Sequence, residues 1–275
     1  MSPERQLSRR KFLRATGFGA LGSVGTFAYG DLTSKDVQLV QKELHLKNWT
    51  ADGFKVGAIT DLHLDSDEAV ARAQMAIARL APLKPDVFVI VGDFLTSAAP
   101  ANLANVRAVM GSLDAIQCPI FAVLGNHDYW AHYFDLVKEA ILSRGNLRLL
   151  RNEVVDLGGV GIAGIDDALN HMQRPDLIRE AKKPRSTICL FHEPDSVEEV
   201  SDDLSLQISG HSHGGQICLP GGMAIHTPVG AKRYVSGYYA DAKVPLYVSR
   251  GVGTIGPNWR LFCPPEATLL TLRGS

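Results

Sequence analysis

The sequence predicts an α/β fold, a two-sheet βαβ sandwich flanked by helices in a single domain, and three observations carry that prediction. Short apolar runs alternate with segments of helical periodicity between residues 54 and 141. The later half is richer in short strand-like runs, with one helical interruption. No linker, repeat or charge run divides the chain, so both halves belong to one core.

The elements follow in order. Residues 37–46 alternate loosely between apolar and polar, as an edge strand does. Residues 54–60 read as a buried strand ending at Asp61. Ser66 is a candidate N-cap with Asp67 and Glu68 in the first helical turn, and Ala69, Ala73, Ala76, Ile77 and Leu80 share one helical face before Pro82 stops it. The unit then repeats. Residues 87–91 form an apolar strand closed by Gly92-Asp93, and Leu103, Val106, Met110 and Leu113 mark a helix. Residues 120–124 end at Gly125-Asn126, and Phe134, Val137 and Ile141 mark the next helix. Such alternation implies a largely parallel sheet covered by helices. Further strands are expected at 147–150, 160–165, 188–191 and 206–208, with a helix around 175–181. The Gly- and Pro-dense tail offers only short strands near Ala224 and at 246–248.

Composition narrows the function. The chain has 275 residues, 45% hydrophobic and 21% charged, which fits a globular protein with a substantial core. A formal net charge of -1 argues against binding that works by neutralising phosphate backbones, so no nucleic-acid partner is expected. Cys118 and Cys189 lie in or beside apolar runs and read as small buried hydrophobes, while a Cys218–Cys263 bridge is left open by the spacing.

Residues 1–30 read as a twin-arginine export signal, and residues 36–275 as the folded domain. Ser8-Arg9-Arg10-Lys11-Phe12-Leu13 precedes a mildly apolar, glycine-containing stretch too weak for a confident membrane span. Ala28-Tyr29-Gly30 offers a small-residue cleavage site, and retention as an uncleaved anchor is the alternative. The twin-arginine export machinery is the partner this leader implies. The expected location is the periplasm, the cell wall or the outer face of the inner membrane, with membrane-surface association as a corollary of an anchor.

Five blocks place hard metal ligands at strand ends. They are Asp61-Leu62-His63, Gly92-Asp93, Gly125-Asn126-His127-Asp128, Phe191-His192-Glu193 and Gly210-His211-Ser212-His213. In an open α/β sheet, residues beyond the carboxyl ends of strands converge on one crevice. Carboxylate, imidazole and amide ligands without thiolate suit Mn, Fe or Zn and exclude a structural cysteine site. Two divalent ions about 3.5–4 Å apart can clamp both oxygens of an in-line displacement around a bridging hydroxide, and Asp93 is the natural bridging carboxylate. The other histidines, His45, His132, His171 and His226, read as surface or capping residues; Asp65, Asp166 and Asp167 read as solvated or at most neighbours of the ligands.

Taken together, the blocks resemble the calcineurin-like metallophosphoesterase family over roughly residues 54–252. The resemblance implies a phosphoesterase with Asp61, His63 and His213 at one ion, Asn126, His192 and His211 at the other, and Asp93 between them. It also implies His127 as the acid at the leaving oxygen, with Asp128 orienting its ring. No block departs from the pattern, whereas a non-catalytic metal-dependent binding scaffold would need a damaged ligand set.

The leader, the Gly-Gly-Gln after the histidine pair, Lys232-Arg233-Tyr234 and Arg250-Gly251-Val252-Gly253 are similar to the exported bacterial phosphodiesterase (YkuE/YaeI-like) subgroup. That implies a small-molecule or lipid phosphodiester substrate, with a UDP-diacylglucosamine-type pyrophosphate as the alternative. Phe94, Tyr129, Trp130 and Tyr133 would then form an apolar wall or belong to the core, and Lys232, Arg233 and Arg250 would grip a second phosphate or stay solvated. Tyr129 and Arg250 are the candidate substrate-binding residues.

Overall fold

The computed structural model describes residue 30 and residues 33–275, so the leader, Gly30 apart, lies outside the described residues. The described chain forms two six-stranded sheets packed face to face, with helices on both outer sides. The first half builds β1 (Gln38–Leu46), β2 (Phe54–Thr60), α1 (Asp67–Leu80), β3 (Val87–Val91), α2 (Pro100–Ser112), β4 (Ile120–Val123), α3 (Asn126–Trp130), α4 (Phe134–Ile141) and β5 (Leu147–Leu149). The second builds β6 (Glu153–Asp156), β7 (Val160–Gly164), α5 (Pro175–Glu180), β8 (Ser186–Leu190), β9 (Leu206–Ser209), the hairpin β10 (Cys218–Leu219) and β11 (Met223–Ala224), then β12 (Gly237–Tyr239), β13 (Leu246–Val248) and β14 (Glu266–Gly274). Among the described residues no helix is long and apolar enough to cross a membrane.

Sheet one runs β1-β14-β2-β3-β4-β5, and sheet two β12-β13-β9-β8-β7-β6. β2 to β5 are parallel, as are β13, β9, β8 and β7. Both faces of β3 are buried, and the alternation of side chains divides them. Val87, Val89 and Val91 point into the inter-sheet core with Ile162, Ile188, Leu190 and Ile208. Phe88 and Ile90 face the other way, onto Ala73 and Ile77 of α1 and Val106 and Met110 of α2. The outer face of sheet two, with Phe191 and Leu246, is covered by Ile178 of α5 and by Val197. α1 starts where the sequence placed it: the Ser66 side chain accepts from the Ala69 amide at 3.2 Å.

One expectation needed extending. The tail holds more than short strands, because β14 is nine residues long and inserts between β1 and β2, antiparallel to β2 and parallel to β1. Its Leu270 and Leu272 enter the inter-sheet core, while Ala267 and Leu269 face the helices. All four cysteines are free thiols, and Cys189 is buried as its apolar run implied.

The chain packs closely at Gly164, where an added Cβ would lie 2.2 Å from Leu150 Cβ and 3.0 Å from Val123 Cγ1. Gly164→Ala is therefore expected to destabilise the fold by roughly 2 kcal/mol through overpacking, read as a lower denaturation midpoint in urea.

Candidate metal centre

Five parallel strands from the two sheets open at the same edge. Asp61 follows β2, Asp93 follows β3, Asn126 opens α3 after β4, His192 lies just past β8 and His211 just past β9. Parallel pairing within each sheet aligns these ends, so residues distant in sequence converge. The backbone is strained there. Asp61, His63, Asp93, His211 and His213 all have φ between +42° and +67°, a region that non-glycine residues visit at a cost of about 1–3 kcal/mol each. Cross-loop bonds hold them in place. The Asp61 amide donates to Gly92 O (3.1 Å), the His63 amide to Asp93 O (3.1 Å) and the His211 amide to Asp61 Oδ1 (2.7 Å). At Gly125 an added Cβ would sit 2.4 Å from Asp93 Oδ1, and at Gly210 2.3 Å from Asp61 Oδ2, so only glycine leaves those carboxylates their places.

The ligand candidates form two buried clusters. Donor atoms of Asp61, His63, Asp93 and His213 lie within 4.8 Å of one another, as do those of Asp93, His192 and His211, and Asp93 is common to both. His63 Nε2 stands 3.2 Å from His213 Nε2 and 3.5 Å from Asp93 Oδ2; His192 Nε2 stands 3.1 Å from Asp93 Oδ2. Tautomers are set from outside. His192 Nδ1 lies 2.9 Å from Val91 O and His211 Nε2 2.7 Å from Val229 O. A carbonyl oxygen only accepts, so those nitrogens carry hydrogen and the opposite ring nitrogens are the ones turned inward. Asn126 Oδ1 is buried without a hydrogen-bond partner, and His192 Nε2 faces only the Asp93 carboxylate. Buried polar atoms left orphaned are costly, and a cation between the clusters would satisfy both. The donor set therefore fits divalent metal ions.

Charge states agree with that fit. Burial alone would raise the Asp93 carboxyl, but the His192 and His63 imidazoles overcome it and hold Asp93 well below the usual carboxylate range. Burial, reinforced by His63, holds His213 well below the ordinary imidazole range, and burial also lowers His211. Both are thus neutral, the form that ligates. Burial opposes charge on His192 as well, but Asp93 outweighs it, so a metal entering there must displace the His192 proton.

His127 lies beside these clusters, not among the ligands. Its amide donates to Asp93 Oδ1 at 2.9 Å, and its ring packs edge-on to His63 (5.1 Å) and Trp130 (5.2 Å). Asp128 does a different job from the ring orientation expected of it. Its Oδ2 accepts from the Asp93 and Gly125 amides (3.0 and 2.9 Å) and its Oδ1 from the Phe94 amide (2.8 Å), so it braces the loops after β3 and β4 against each other. The two candidate substrate contacts stand elsewhere. The Tyr129 hydroxyl donates to Asp166 Oδ1 (2.6 Å) and accepts from Arg151 Nη2 (2.9 Å), while Arg250 Nε donates to Glu266 Oε2 (2.6 Å). Asp166 and Asp167 are buried rather than solvated, and Asp65 accepts from the Thr96 amide and from Asn102 Nδ2. Phe94 is core, Tyr133 is exposed, and Trp130 and His226 line a cavity of about 580 Å³ together with Asp93, Asn126 and His127.

Arg260 is the residue that sequence reasoning missed. It is fully buried and donates to Gly253 O (2.6 Å), Arg250 O (2.8 Å) and His213 O (3.0 Å). Gly253 in turn donates to Asp61 O at 2.7 Å, so one guanidinium ties the His213 turn to the segment packed on Asp61. An arginine in a Gly- and Pro-rich tail gives no local signal of this. Asp128→Ala would strand three buried amides, and a loss of about 3 kcal/mol or more in the urea denaturation of the metal-free protein is the expected outcome.

The chain is similar to known proteins. Residues 54–215 match the model of the calcineurin-like phosphoesterase family. The chain is 29% identical to the metallophosphoesterase YkuE of Bacillus subtilis, over 98% of this chain and 99% of that one. It is 32% identical to the phosphodiesterase YaeI of Escherichia coli, over 97% and 99% respectively. A solved dimetal phosphatase from Danio rerio superposes with a TM-score of 0.47 at 12% identity, covering 73% of this chain and 88% of that one. Sequence family and buried Asp/His clusters agree: the chain belongs to the calcineurin-like phosphoesterase family and is a metal-dependent phosphoric ester hydrolase.

Proposed function

We propose that the protein hydrolyses a phosphodiester at a pair of divalent ions of the Mn, Fe or Zn type, outside the cytoplasm. The observation that carries the pairing is Asp93, whose carboxylate belongs to both ligand clusters. When bound, the ions supply Lewis acidity and a deprotonated water as nucleophile. The protein's own groups do the rest. Asn126 Oδ1 points unpaired into the site and His192 Nε2 faces Asp93, while the Thr60 hydroxyl and the His211 amide fix the two Asp61 oxygens (2.5 and 2.7 Å). His127 borders the cavity and presents a ring N–H to the leaving or phosphoryl oxygen, where charge develops. YaeI, named a phosphodiesterase, supports the diester reading.

The pyrophosphate alternative needs free cations for a second phosphate. Arg250 is paired with Glu266, Arg233 with Glu198 (2.8 Å), and Lys232 Nζ donates to the Thr227 carbonyl. That pairing favours the diester over a UDP-diacylglucosamine-type substrate. The intact ligand set likewise favours turnover over a binding scaffold.

Purified protein with Mn²⁺ is expected to hydrolyse bis-p-nitrophenyl phosphate and to lose that activity on chelation. Asp93→Ala and His127→Ala should each lower kcat by about 10²-fold or more, and full activity in either variant would overturn the reading. The twin-arginine leader supports export to the periplasm, the cell wall or the outer face of the inner membrane. Arg9→Lys with Arg10→Lys should therefore leave the protein in the cytoplasmic fraction of fractionated cells, and unchanged distribution would refute export by that route.

A further inference from the structure

The cavity beside the metal ligands has two unlike sides. Its floor is polar, with Asp93, Asn126, His127, His211 and His213. Its walls are chiefly apolar, with Trp130, Leu169, Ile217, Ile225 and Val229, and among the described residues no lysine, arginine or carboxylate other than Asp93 lines it.

The outer wall comes from a segment with an unusual composition. From Gly214 to Ala231 there is no Asp, Glu, Lys or Arg, in a chain where 21% of residues are charged. Yet the segment lies at the surface: Leu219 is 49% exposed, Met223 68%, Ile225 61% and Val229 70%. Trp130, 49% exposed, also lines the cavity, with its ring against His127. A contiguous exposed apolar surface running into a catalytic cavity marks a place where apolar matter is bound.

The segment is also preformed. It carries β10 and β11, its Ile225 amide donates to Ile217 O (3.3 Å), and its Gly230 carbonyl accepts from the Asp195 amide (2.9 Å). Val229 O holds the His211 ring, so the wall and a metal ligand share one hydrogen bond. Groups bound along this wall are thereby registered against the reacting phosphate.

We propose that this cavity takes an alkyl or acyl substituent of a phosphodiester whose phosphate lies at the metal ligands, making an amphiphilic diester the substrate class. The proposal rests on the phosphodiesterase reading above. A nucleoside or sugar diphosphate would meet no lysine or arginine for a second phosphate and, beyond the floor, only the side chains of Ser212, Gln216 and His226 as polar partners, whereas an aliphatic chain would lie along Trp130 and the Ile225–Val229 edge. The same chemistry is offered by a free amphiphile and by a lipid presented in a bilayer.

The test is a chain-length series of p-nitrophenyl alkyl phosphates, from methyl to octyl, held below their micellar concentrations, with the Mn²⁺-loaded full chain. Each methylene fully removed from water is worth roughly a fourfold gain, so partial burial predicts a rise in kcat/KM of about tenfold or more across the series. Non-hydrolysable alkyl phosphonate monoesters should inhibit more tightly with length on the same scale, a readout that needs no variant. Ile225→Ser with Val229→Ser should shrink the octyl-to-methyl ratio about fivefold or more. Turnover of the methyl ester with a flat or falling series would overturn this inference and leave the phosphodiesterase reading standing. Failure to cleave any member would instead overturn that reading. Short-chain monomeric and long-chain vesicular phosphatidylglycerol then separate the sources: preference for vesicles identifies a bilayer lipid, preference for monomers a free amphiphile.

Discussion

Everything at this site depends on one buried anion. Asp93 sits at the end of a strand with both faces in the core, and its carboxylate is almost wholly removed from water. Charge in such a place is stable only with countercharge close by. His63 and His192 approach it from opposite clusters, and metal ions would complete the neutralisation. The convergence of five strand ends is what supplies those partners. Had the two sheets opened at different edges, His192 and His211 could not share Asp93 with His63.

Holding that geometry requires backbone that would not adopt it unaided. Five of the ligand residues lie at positive φ, and three devices outside the ligand set keep them there. Asp128 ties the loops after β3 and β4 together through three amides, Arg260 ties the His213 turn to the segment over Asp61, and Gly125 and Gly210 leave room where any side chain would strike a carboxylate. Strain of this kind persists only where surrounding structure over-determines it, and its concentration at the ligands ties it to function rather than to packing.

The cavity adds an asymmetry that the metal chemistry alone does not need. Polar groups converge on one side, and a charge-free surface segment builds the other. Apolar walls lower the local dielectric, which strengthens electrostatic interactions at the polar side. The Val229 carbonyl ties this wall to the His211 ring.

Much of this was legible in the chain itself. Apolar runs broken at Gly-Asp, Gly-Asn and Gly-His identify strand ends because periodicity and turn chemistry are local properties. The ligand types at those ends identify a hydrolytic metal centre because donor chemistry belongs to the residue. Ser66 as a cap, the helical faces of α1 and α2, and Cys189 in the core follow for the same reason. What only the tertiary structure decided is which groups meet. Tyr129 and Arg250 lie in promising segments, but Asp166 and Glu266 capture them, and Asp128 turns to backbone amides instead of the neighbouring ring. β14 reads as a modest terminal run until it is seen inserted between the first two strands. Arg260 has no local signature, since its partners are carbonyls of two distant segments, at His213 and at Arg250–Gly253. Residue type fixes what a side chain can do; the folded surroundings choose its partner, because hydrogen bonds and ion pairs act over a few ångströms between segments that the sequence leaves far apart.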